Sequence, residues 1–175
     1  MTFIRLAEVD DALVLADLHI RSWQSAYRHI LPPEFLDSLD VAQRTEFWQR
    51  LLDGGTEVLV ADDDQVIGFC HAGESNDEGW GEIYSIYVDP DHWGRGVGGG
   101  LLAAGQERLV GLGFEDALLW VLEDNESARR FYESRGWVPG KRFQVLEIGG
   151  TPVTEVRYEI GLGRVPAPSR GRPGR

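Results

Sequence analysis

The chain has 175 residues, of which 17 are basic and 29 acidic, and its formal net charge is −12 at pH 7. Residues 161–175 contain four arginines and no acid, so the rest of the chain carries 13 basic and 29 acidic residues. A body this acidic repels nucleic acid and anionic membranes, and neither is expected as a partner. It also repels anionic small molecules at long range, so an anion must be bound by local groups.

The composition predicts one folded domain. Hydrophobic residues make up 42% of the chain, with six Trp and seven Phe, which favours a globule with its own core over disorder. No apolar run approaches the roughly 20 residues of a membrane span, and Met1–Arg5 lacks the pattern of a signal peptide. Cys70 is the only cysteine, which excludes an internal disulfide. We therefore expect a cytoplasmic protein.

The N-terminal part predicts one strand and two helices. Phe3 to Val9 alternates enough for a strand, and from Asp10 the apolar spacing becomes helical. Pro32-Pro33 ends this region and opens a second helix, whose apolar positions continue to Leu51. The sequence thus begins β-α-α.

A hairpin and a further strand follow. Residues 57–61 and 66–72 predict two strands that flank the acidic turn 62–65. This turn lacks the twelve-residue spacing of a calcium loop, and Cys70-His71 has no further Cys or His at a ligand spacing, so no metal site is expected. A turn at 75–79 then leads into a strand from Trp80 to Val88.

A glycine-rich loop joins this strand to the next helix. Pro90 ends the strand because it lacks an N–H group. Gly94, Gly96 and residues 98–100 leave backbone N–H groups uncovered by side chains, directly before a helix that ends at Gly111 or Gly113. Free N–H groups and the positive end of a helix dipole together favour an anion. The loop therefore predicts a phosphate site.

Two common phosphate motifs are alternatives for this loop. A Walker loop requires Gly-Lys-Ser or Gly-Lys-Thr, but Lys141 is the only lysine, which excludes it. Gly94, Gly96 and Gly99 satisfy the dinucleotide spacing G-x-G-x-x-G. That fingerprint normally lies in the first strand–helix turn, whereas half of this chain precedes it. A dinucleotide-binding fold stays open as an alternative.

The remaining chain predicts a strand, a helix and a hairpin. Residues 117–122 form a buried strand, parallel to the previous one if the crossover takes its usual form. A helix runs from Asn125 to Arg135, and strands 142–148 and 152–160 close the domain. Residues 161–175 are rich in Pro, Gly, Ser and Arg, so we expect a disordered basic tail after a domain spanning residues 1–160.

Two motifs resemble the GCN5-related N-acetyltransferase superfamily. The segment from Trp93 to Gly98 is similar to that family's pyrophosphate loop, Gln/Arg-x-x-Gly-x-Gly/Ala, but has Trp93 at the first position. The segment from Asn125 to Glu133 is similar to its Asn-x-x-Ala-x-x-Phe-Tyr motif. The order and the distance of the two motifs also agree with the family. The resemblance covers roughly residues 3 to 160.

The resemblance implies a fold and a cosubstrate. The fold is mixed α/β, with a mostly antiparallel sheet, a central splayed parallel strand pair and helices on both faces. Acetyl-CoA would be the acetyl donor, with its pantetheine arm in the gap between the splayed strands. The implied cofactor-binding residues are Ile86, Tyr87 and Val88 for the arm, Gly94, Arg95, Gly96, Val97, Gly98 and Gly99 for the pyrophosphate, and Asn125 for the other side of the arm.

The implied reaction is transfer of an acetyl group from a thioester to an amine. A carboxylate near the acceptor can take the proton that the amine loses, and Glu82 is the candidate. Alternating directions along the strand would place Glu82 on one face with Tyr84 and Ile86, although it could equally be a surface acid. Tyr132 occupies the position of the family's general-acid tyrosine and would donate to the CoA thiolate. Its alternative role is packing beside the cofactor.

The acceptor site is less defined. Trp23 and Tyr27 lie where the family borders its acceptor, and could either line that site or belong to the core. They could offer cation–π faces to a cationic amine on a small molecule or a peptide. A homodimer is left open.

We therefore predict an acetyl-CoA-dependent N-acetyltransferase. A non-catalytic acyl-CoA-binding regulatory module of the same fold is the main alternative.

Overall fold

The computed structural model describes residues 2–163, which form seven β-strands and five α-helices. The strands are β1 (Phe3–Leu6), β2 (Val58–Asp62), β3 (Val66–Glu74), β4 (Gly81–Val88), β5 (Asp116–Leu122), β6 (Val138–Ile148) and β7 (Thr151–Gly161). The helices are α1 (Ala12–Ala26), α2 (Pro33–Asp37), α3 (Val41–Asp53), α4 (Val97–Gly111) and α5 (Glu126–Glu133). Short 3-10 turns lie at Val9–Asp11 and Pro90–His92.

All seven strands belong to one sheet, in the order β1-β2-β3-β4-β5-β7-β6. Neighbouring strands are antiparallel except β4 and β5, which are parallel. These two strands pair only at their beginnings, where Gly81 lies opposite Ala117 and Glu82 opposite Leu118. Beyond this point their pairing stops. The predicted antiparallel sheet with a central splayed parallel pair is confirmed.

Helices cover both faces of the sheet, as predicted. On one face, called the α1 face below, α1 and α3 pack on β2 and β3 around the buried residues Leu15, Trp48 and Phe69. On the other, called the α4 face, α4 packs through Leu101 and its neighbours, and α5 contributes Tyr132 to the same cluster. Apolar positions on both faces of the central strands are therefore buried, which favours folding through the hydrophobic effect.

The helical region after Pro32 differs from the prediction, because the expected second helix is two helices. The chain turns between α2 and α3, and the Asp40 side chain caps α3 by accepting a hydrogen bond from the Gln43 N–H at 2.8 Å. The first strand is also shorter than predicted, since β1 ends at Leu6 and Val9 begins a 3-10 turn.

The C-terminal boundary of the domain lies later than predicted. β7 includes Gly161, and the N–H of Leu162 donates to the Glu115 carbonyl at 2.7 Å. Leu162 packs against the α4-face cluster, so this residue is part of the fold rather than of a disordered tail. Residues 164–175 of the predicted tail lie outside the described residues. Within residues 2–163, no helix has the length and apolar character to cross a bilayer. The cytoplasmic location stays a prediction.

Candidate active site

An extra residue in β4 changes which face its side chains occupy. In the β3–β4 ladder His71 lies opposite Ser85 and Ala72 opposite Ile83, so Tyr84 is a one-residue bulge. Because of this bulge, Ile83 and Ile86 both pack in the α4-face cluster, although strict alternation would separate them.

Glu82 therefore lies on the α1 face, away from Ile86. The prediction that these two residues share a face is wrong. Tyr84 packs against His71 at a ring-centroid distance of 4.7 Å, and its ring lies over Gly73, the residue opposite Glu82. Glu82 and Tyr84 thus share the α1 face, as predicted.

The second half of β4 borders the gap. Ile86, Tyr87 and Val88 are only half-buried in the middle of the sheet. The Val88 carbonyl accepts hydrogen bonds from the Ser22 hydroxyl at 3.2 Å and from the Trp93 indole N–H at 2.7 Å. Trp93, which departs from the family pattern, therefore folds back onto the end of the strand. A strand edge without a β5 partner is available here for an extended ligand.

The glycine loop has the geometry of an anion cradle. Gly94 and Gly96 have φ values of 75° and 86°, in the left-handed region that favours glycine. A Cβ at either residue would meet no atom within 4 Å, so the space above the loop is open. The first helical bond of α4 runs from the Gly100 N–H to the Gly96 carbonyl at 3.1 Å. None of the N–H groups of residues 94–99 donates to another residue of the described chain.

These free N–H groups fit a diphosphate, because they lie at the positive end of a 15-residue helix. The loop brings together all six predicted pyrophosphate-binding residues, Gly94, Arg95, Gly96, Val97, Gly98 and Gly99.

Asn125 begins α5 as its N-cap. Its side-chain oxygen accepts a hydrogen bond from the Ala128 N–H at 3.1 Å, which satisfies one of the free donors of the first helical turn. This bond explains the asparagine by helix capping. A contact with the pantetheine arm stays a prediction.

Tyr132 is buried at the α5 side of the gap. Its ring packs against Phe131 and Trp137, with centroid distances of 5.1 and 6.2 Å. Its hydroxyl forms no hydrogen bond within residues 2–163. Burial, with smaller contributions from the nearby Tyr87 and Cys70, raises the pKa of Tyr132 far above that of a free phenol. The hydroxyl therefore stays protonated at physiological pH and is free to donate.

Glu82 is half-buried and is the last residue of β4 that pairs with β5. The Ser75 hydroxyl donates to its carboxylate at 2.8 Å. Burial raises the pKa of Glu82, and the charge of Asp77 adds to this, while the Ser75 hydrogen bond and Arg157 act in the opposite direction. A carboxylate with a raised pKa is a stronger base than an exposed glutamate.

Trp23 and Tyr27 reach β4 from α1 and from the end of that helix. The Trp23 indole N–H donates to the Tyr87 hydroxyl at 2.8 Å, and the Tyr27 and Tyr87 hydroxyls are 3.3 Å apart. The rings of Trp23 and Tyr27 meet edge to face at 5.1 Å. Both rings pack partly against a small core that includes Leu36 and Val153. Both predicted alternatives therefore apply, because Trp23 and Tyr27 pack against the core and also reach the Tyr87 hydroxyl on β4.

Glu155 is a further residue of the site, which the sequence does not indicate. Gln144 donates to its carboxylate at 2.7 Å across the β6–β7 pair. Besides burial, which dominates, the charge of Glu155 contributes to the raised pKa values of Glu82, Tyr27 and Tyr87. Glu155 is therefore within electrostatic reach of all three, and it lies on the α1 face because its neighbour Val156 packs in the α4-face cluster. We call Glu82, Glu155, Tyr27 and Tyr87 the polar cluster. In the sequence Glu155 is one of several alternating polar residues, and nothing distinguishes it.

Metal ligation is not evident around these residues. In the part of the chain from residue 2 to 163, no group of three or more His, Cys, Asp or Glu side chains could hold a metal ion.

Comparisons with known proteins agree with this geometry. The model of the acetyltransferase (GNAT) family matches residues 18–137. The uncharacterized N-acetyltransferase YuaI of Bacillus subtilis is 37% identical over 170 residues, which cover 93% of this chain and 92% of YuaI. A mycothiol acetyltransferase of Kocuria rhizophila is 39% identical over 84 residues, which cover 46% of this chain and 28% of that protein.

A solved structure shares the fold. The PaiA N-acetyltransferase of Thermoplasma acidophilum, in complex with coenzyme A, is similar with a TM-score of 0.70 and 20% identity, over 92% of this chain and 99% of PaiA. The predicted enzyme class and cosubstrate, an N-acetyltransferase that uses acetyl-CoA, agree with the family match and with these relatives. The extent of the family match and the near full-length similarity to YuaI confirm that the chain belongs to the acetyltransferase (GNAT) family.

Proposed function

We propose that this chain transfers the acetyl group of acetyl-CoA to a primary amine that approaches from the α1 face. One observation carries the proposal: Glu82 is the last β4 residue that pairs with β5 and lies on the α1 face, while Tyr132 belongs to the α4-face cluster. A base and a hydroxyl donor on opposite faces suit an acyl transfer in which the amine and the sulfur lie on opposite sides of the carbonyl.

In this proposal the glycine loop binds the diphosphate of the cosubstrate, and the free edge at Ile86, Tyr87 and Val88 pairs with the amides of the pantetheine arm. Asn125 would approach the arm from α5. Acetyl-CoA supplies the acetyl group as a thioester, which is already activated toward an amine. The chain then has to orient the thioester, remove a proton from the amine and stabilise the departing sulfur.

Glu82 acts as the base in this scheme. An amine is mostly protonated near neutral pH and attacks only after losing a proton. The raised pKa of Glu82 makes its carboxylate a better acceptor for that proton, directly or through a water molecule.

Tyr132 acts on the leaving group. The electron pair of the C–S bond leaves with the sulfur, and a thiol has a pKa of about 8.5, so the sulfur departs as a thiolate. Because burial keeps Tyr132 protonated, its hydroxyl can donate to that thiolate. The relevant contribution is stabilisation of negative charge in the transition state.

The acceptor we propose is a cationic amine on a small molecule or a peptide. Two carboxylates of the polar cluster, Glu82 and Glu155, offer negative charge at the α1 face, and Trp23 and Tyr27 border it with aromatic rings. The body around the site carries 13 basic and 29 acidic residues, which attracts cations at long range. The name of the Kocuria relative indicates a small-molecule acceptor for that protein.

The experiment is a screen of amines with acetyl-CoA, read by release of free CoA thiol and by mass spectrometry of the products. We expect acetylation of cationic primary amines and loss of turnover in Glu82→Gln. Added salt should raise the apparent KM for the acceptor, because salt screens the acidic surface. A preference for anionic acceptors would overturn the proposed substrate class. Acetyl-CoA binding without turnover of any amine would favour a non-catalytic acyl-CoA-binding module.

The outer strand of the sheet supports a homodimer. β6 lies at the edge of the sheet, and Phe143 and Val145 on it are 70% and 63% exposed. An exposed apolar edge strand can pair with a second copy of itself. Light scattering after gel filtration tests this, and a monomer at all concentrations would contradict it. Phe143→Lys should dissociate the dimer.

A further inference from the structure

The guanidinium group of Arg135 lies beside the first turn of α4. A Cβ built on Gly99, the third residue of α4, would be 3.0 Å from one Nη atom of Arg135 and 3.3 Å from its Nε. A Cβ on Gly98 would be 3.4 Å from the Phe131 ring. Glycines at both positions thus allow the end of α5 to approach the first turn of α4, next to the anion cradle.

Arg135 is held in place by three contacts. Its other Nη atom donates to the Phe131 carbonyl at 3.0 Å and to the Ser134 hydroxyl at 2.9 Å. Its guanidinium carbon lies 3.9 Å from the centre of the Phe131 ring, a cation–π geometry. These contacts fix the plane of the guanidinium and leave its remaining N–H groups near α4. A preorganised guanidinium loses little entropy when it binds an anion.

Arg135 has no carboxylate partner within residues 2–163, in a chain with 29 acidic residues. Arg130, which lies within α5, shows the contrast, because it bonds the Glu126 carboxylate at 3.0 Å. Moreover, Arg135 places positive charge beside the positive end of the α4 dipole. Such an arrangement is electrostatically unfavourable unless an anion lies close to both.

We propose that Arg135 binds a phosphate group of acetyl-CoA, as a second anchor beside the glycine loop. The inference rests on the proposed cofactor site and adds to it a side chain that neither family motif includes. The planar guanidinium donates to phosphate oxygens in pairs. Either the diphosphate or the 3′-phosphate of the cosubstrate presents such oxygens.

The test is calorimetric titration of the whole chain with acetyl-CoA, which requires no acceptor. Arg135→Gln should bind acetyl-CoA about 10-fold more weakly, the lower end expected for a hydrogen bond to a charged group, because Arg135 is exposed. The matched control is Arg130→Gln, which removes a paired arginine from nearby α5 and should leave the affinity unchanged. Equal affinity of wild type and Arg135→Gln would overturn the inference.

Two truncated ligands identify the phosphate. If Arg135 contacts the 3′-phosphate, wild type and Arg135→Gln should bind acetyl-3′-dephospho-CoA with equal affinity. If Arg135 contacts the diphosphate, wild type should still bind acetyl-3′-dephospho-CoA more tightly than Arg135→Gln does. The two proteins should then bind acetyl-pantetheine with equal affinity. Acetyl-pantetheine has no phosphate. If Arg135→Gln loses as much affinity for it as for acetyl-CoA, the substitution has damaged the fold and the inference is overturned. Failure of wild type to bind acetyl-CoA would instead overturn the proposed function itself.

Discussion

The indole N–H of Trp23 donates to the hydroxyl oxygen of Tyr87 at 2.8 Å, and this bond connects α1 to the half of β4 that has no β5 partner. An indole can only donate, so the Tyr87 oxygen must be the acceptor. One residue earlier on α1, Ser22 bonds the Val88 carbonyl. Two consecutive residues of α1 therefore hold the second half of β4 from the α1 face. The edge of β4 that borders the gap stays available.

The first prediction concerns the anion cradle. Gly96→Val puts a branched side chain into the open space above the loop, at a φ of 86° that valine adopts only with strain. We expect acetyl-CoA affinity to fall by at least about 10-fold, the size of one lost charge-assisted hydrogen bond. Calorimetric titration measures the affinity, and circular dichroism checks the fold.

Gly113→Val is the matched control. Gly113 follows the other end of α4 and has a φ of 96° with no atom within 4 Å of its Cβ position. It should show the same backbone strain but bind acetyl-CoA as wild type does. If a folded Gly96→Val protein also keeps wild-type affinity, the loop does not bind the cofactor.

The second prediction concerns the pH dependence of activity. Ser75 donates to Glu82, and this hydrogen bond opposes the rise in pKa that burial causes. Ser75→Ala removes the opposing interaction, so the pKa of Glu82 should rise further. Since a base works only when deprotonated, the acidic limb of kcat/KM should move to higher pH. Ser38→Ala, which removes a hydroxyl from the end of α2, should leave the limb in place.

The third prediction concerns the leaving group. Tyr132→Phe keeps the packing ring and removes only the hydroxyl. We expect kcat to fall by about 10²–10⁴-fold, with little change in acetyl-CoA affinity, because the interaction is made in the transition state. Tyr84→Phe is the control, since the hydroxyl of Tyr84 bonds the Glu74 carbonyl at an exposed position. A kcat within a few-fold of wild type together with weaker cofactor binding would make Tyr132 a packing residue.

The fourth prediction concerns stability in acid. His19 is buried, and its ring stacks on Tyr87 with a centroid distance of 5.0 Å. Burial, with a contribution from Arg44, lowers the pKa of His19 to about 3. Between its ordinary pKa of about 6.5 and this lowered value, the unfolded chain binds the proton and the folded chain does not, so stability falls as the pH decreases through this range. At pH 5.5 the loss is about 1.4 kcal/mol.

His19→Phe keeps an aromatic ring and removes the titrating group. Chemical denaturation at pH 7.5 and 5.5 should therefore show a smaller loss of unfolding free energy in the variant than in wild type. An identical loss in both proteins would mean that His19 does not contribute to acid sensitivity.

The sequence predicted the elements whose pattern is local. Apolar runs in β2 and β3, the Pro90 strand end and the glycines near the start of α4 each act within a few residues, and the structure has these elements close to where they were expected. The helix α4 begins earlier than predicted, at Val97, so it includes residues 98–100. The division between α2 and α3 was missed because apolar residues continue through it. Only the capping role of Asp40 marks the break, and an aspartate is compatible with either interpretation.

Features that depend on strand pairing or on contacts between distant elements could not be predicted from the sequence pattern. The bulge at Tyr84 exists only relative to β3. Regular alternation along β4 therefore wrongly placed Glu82 on the same face as Ile86. Glu155 and Arg135 likewise gain their positions from contacts between elements distant in the chain. Such residues are found by geometry, whereas the two family motifs were recognisable because their backbone and capping roles require particular residue types.

The bulge also has a consequence for how this protein could change its acceptor. A regular strand transmits any shift in register along its whole length, but an extra residue lets the segments on either side adjust separately. Substitutions at Glu82 or in the turn that precedes β4 would therefore reshape the acceptor side. Ile86 and Val88 would stay packed against the α4-face cluster. New amine preferences could be engineered, or could evolve, without rebuilding the half of the strand that serves the thioester.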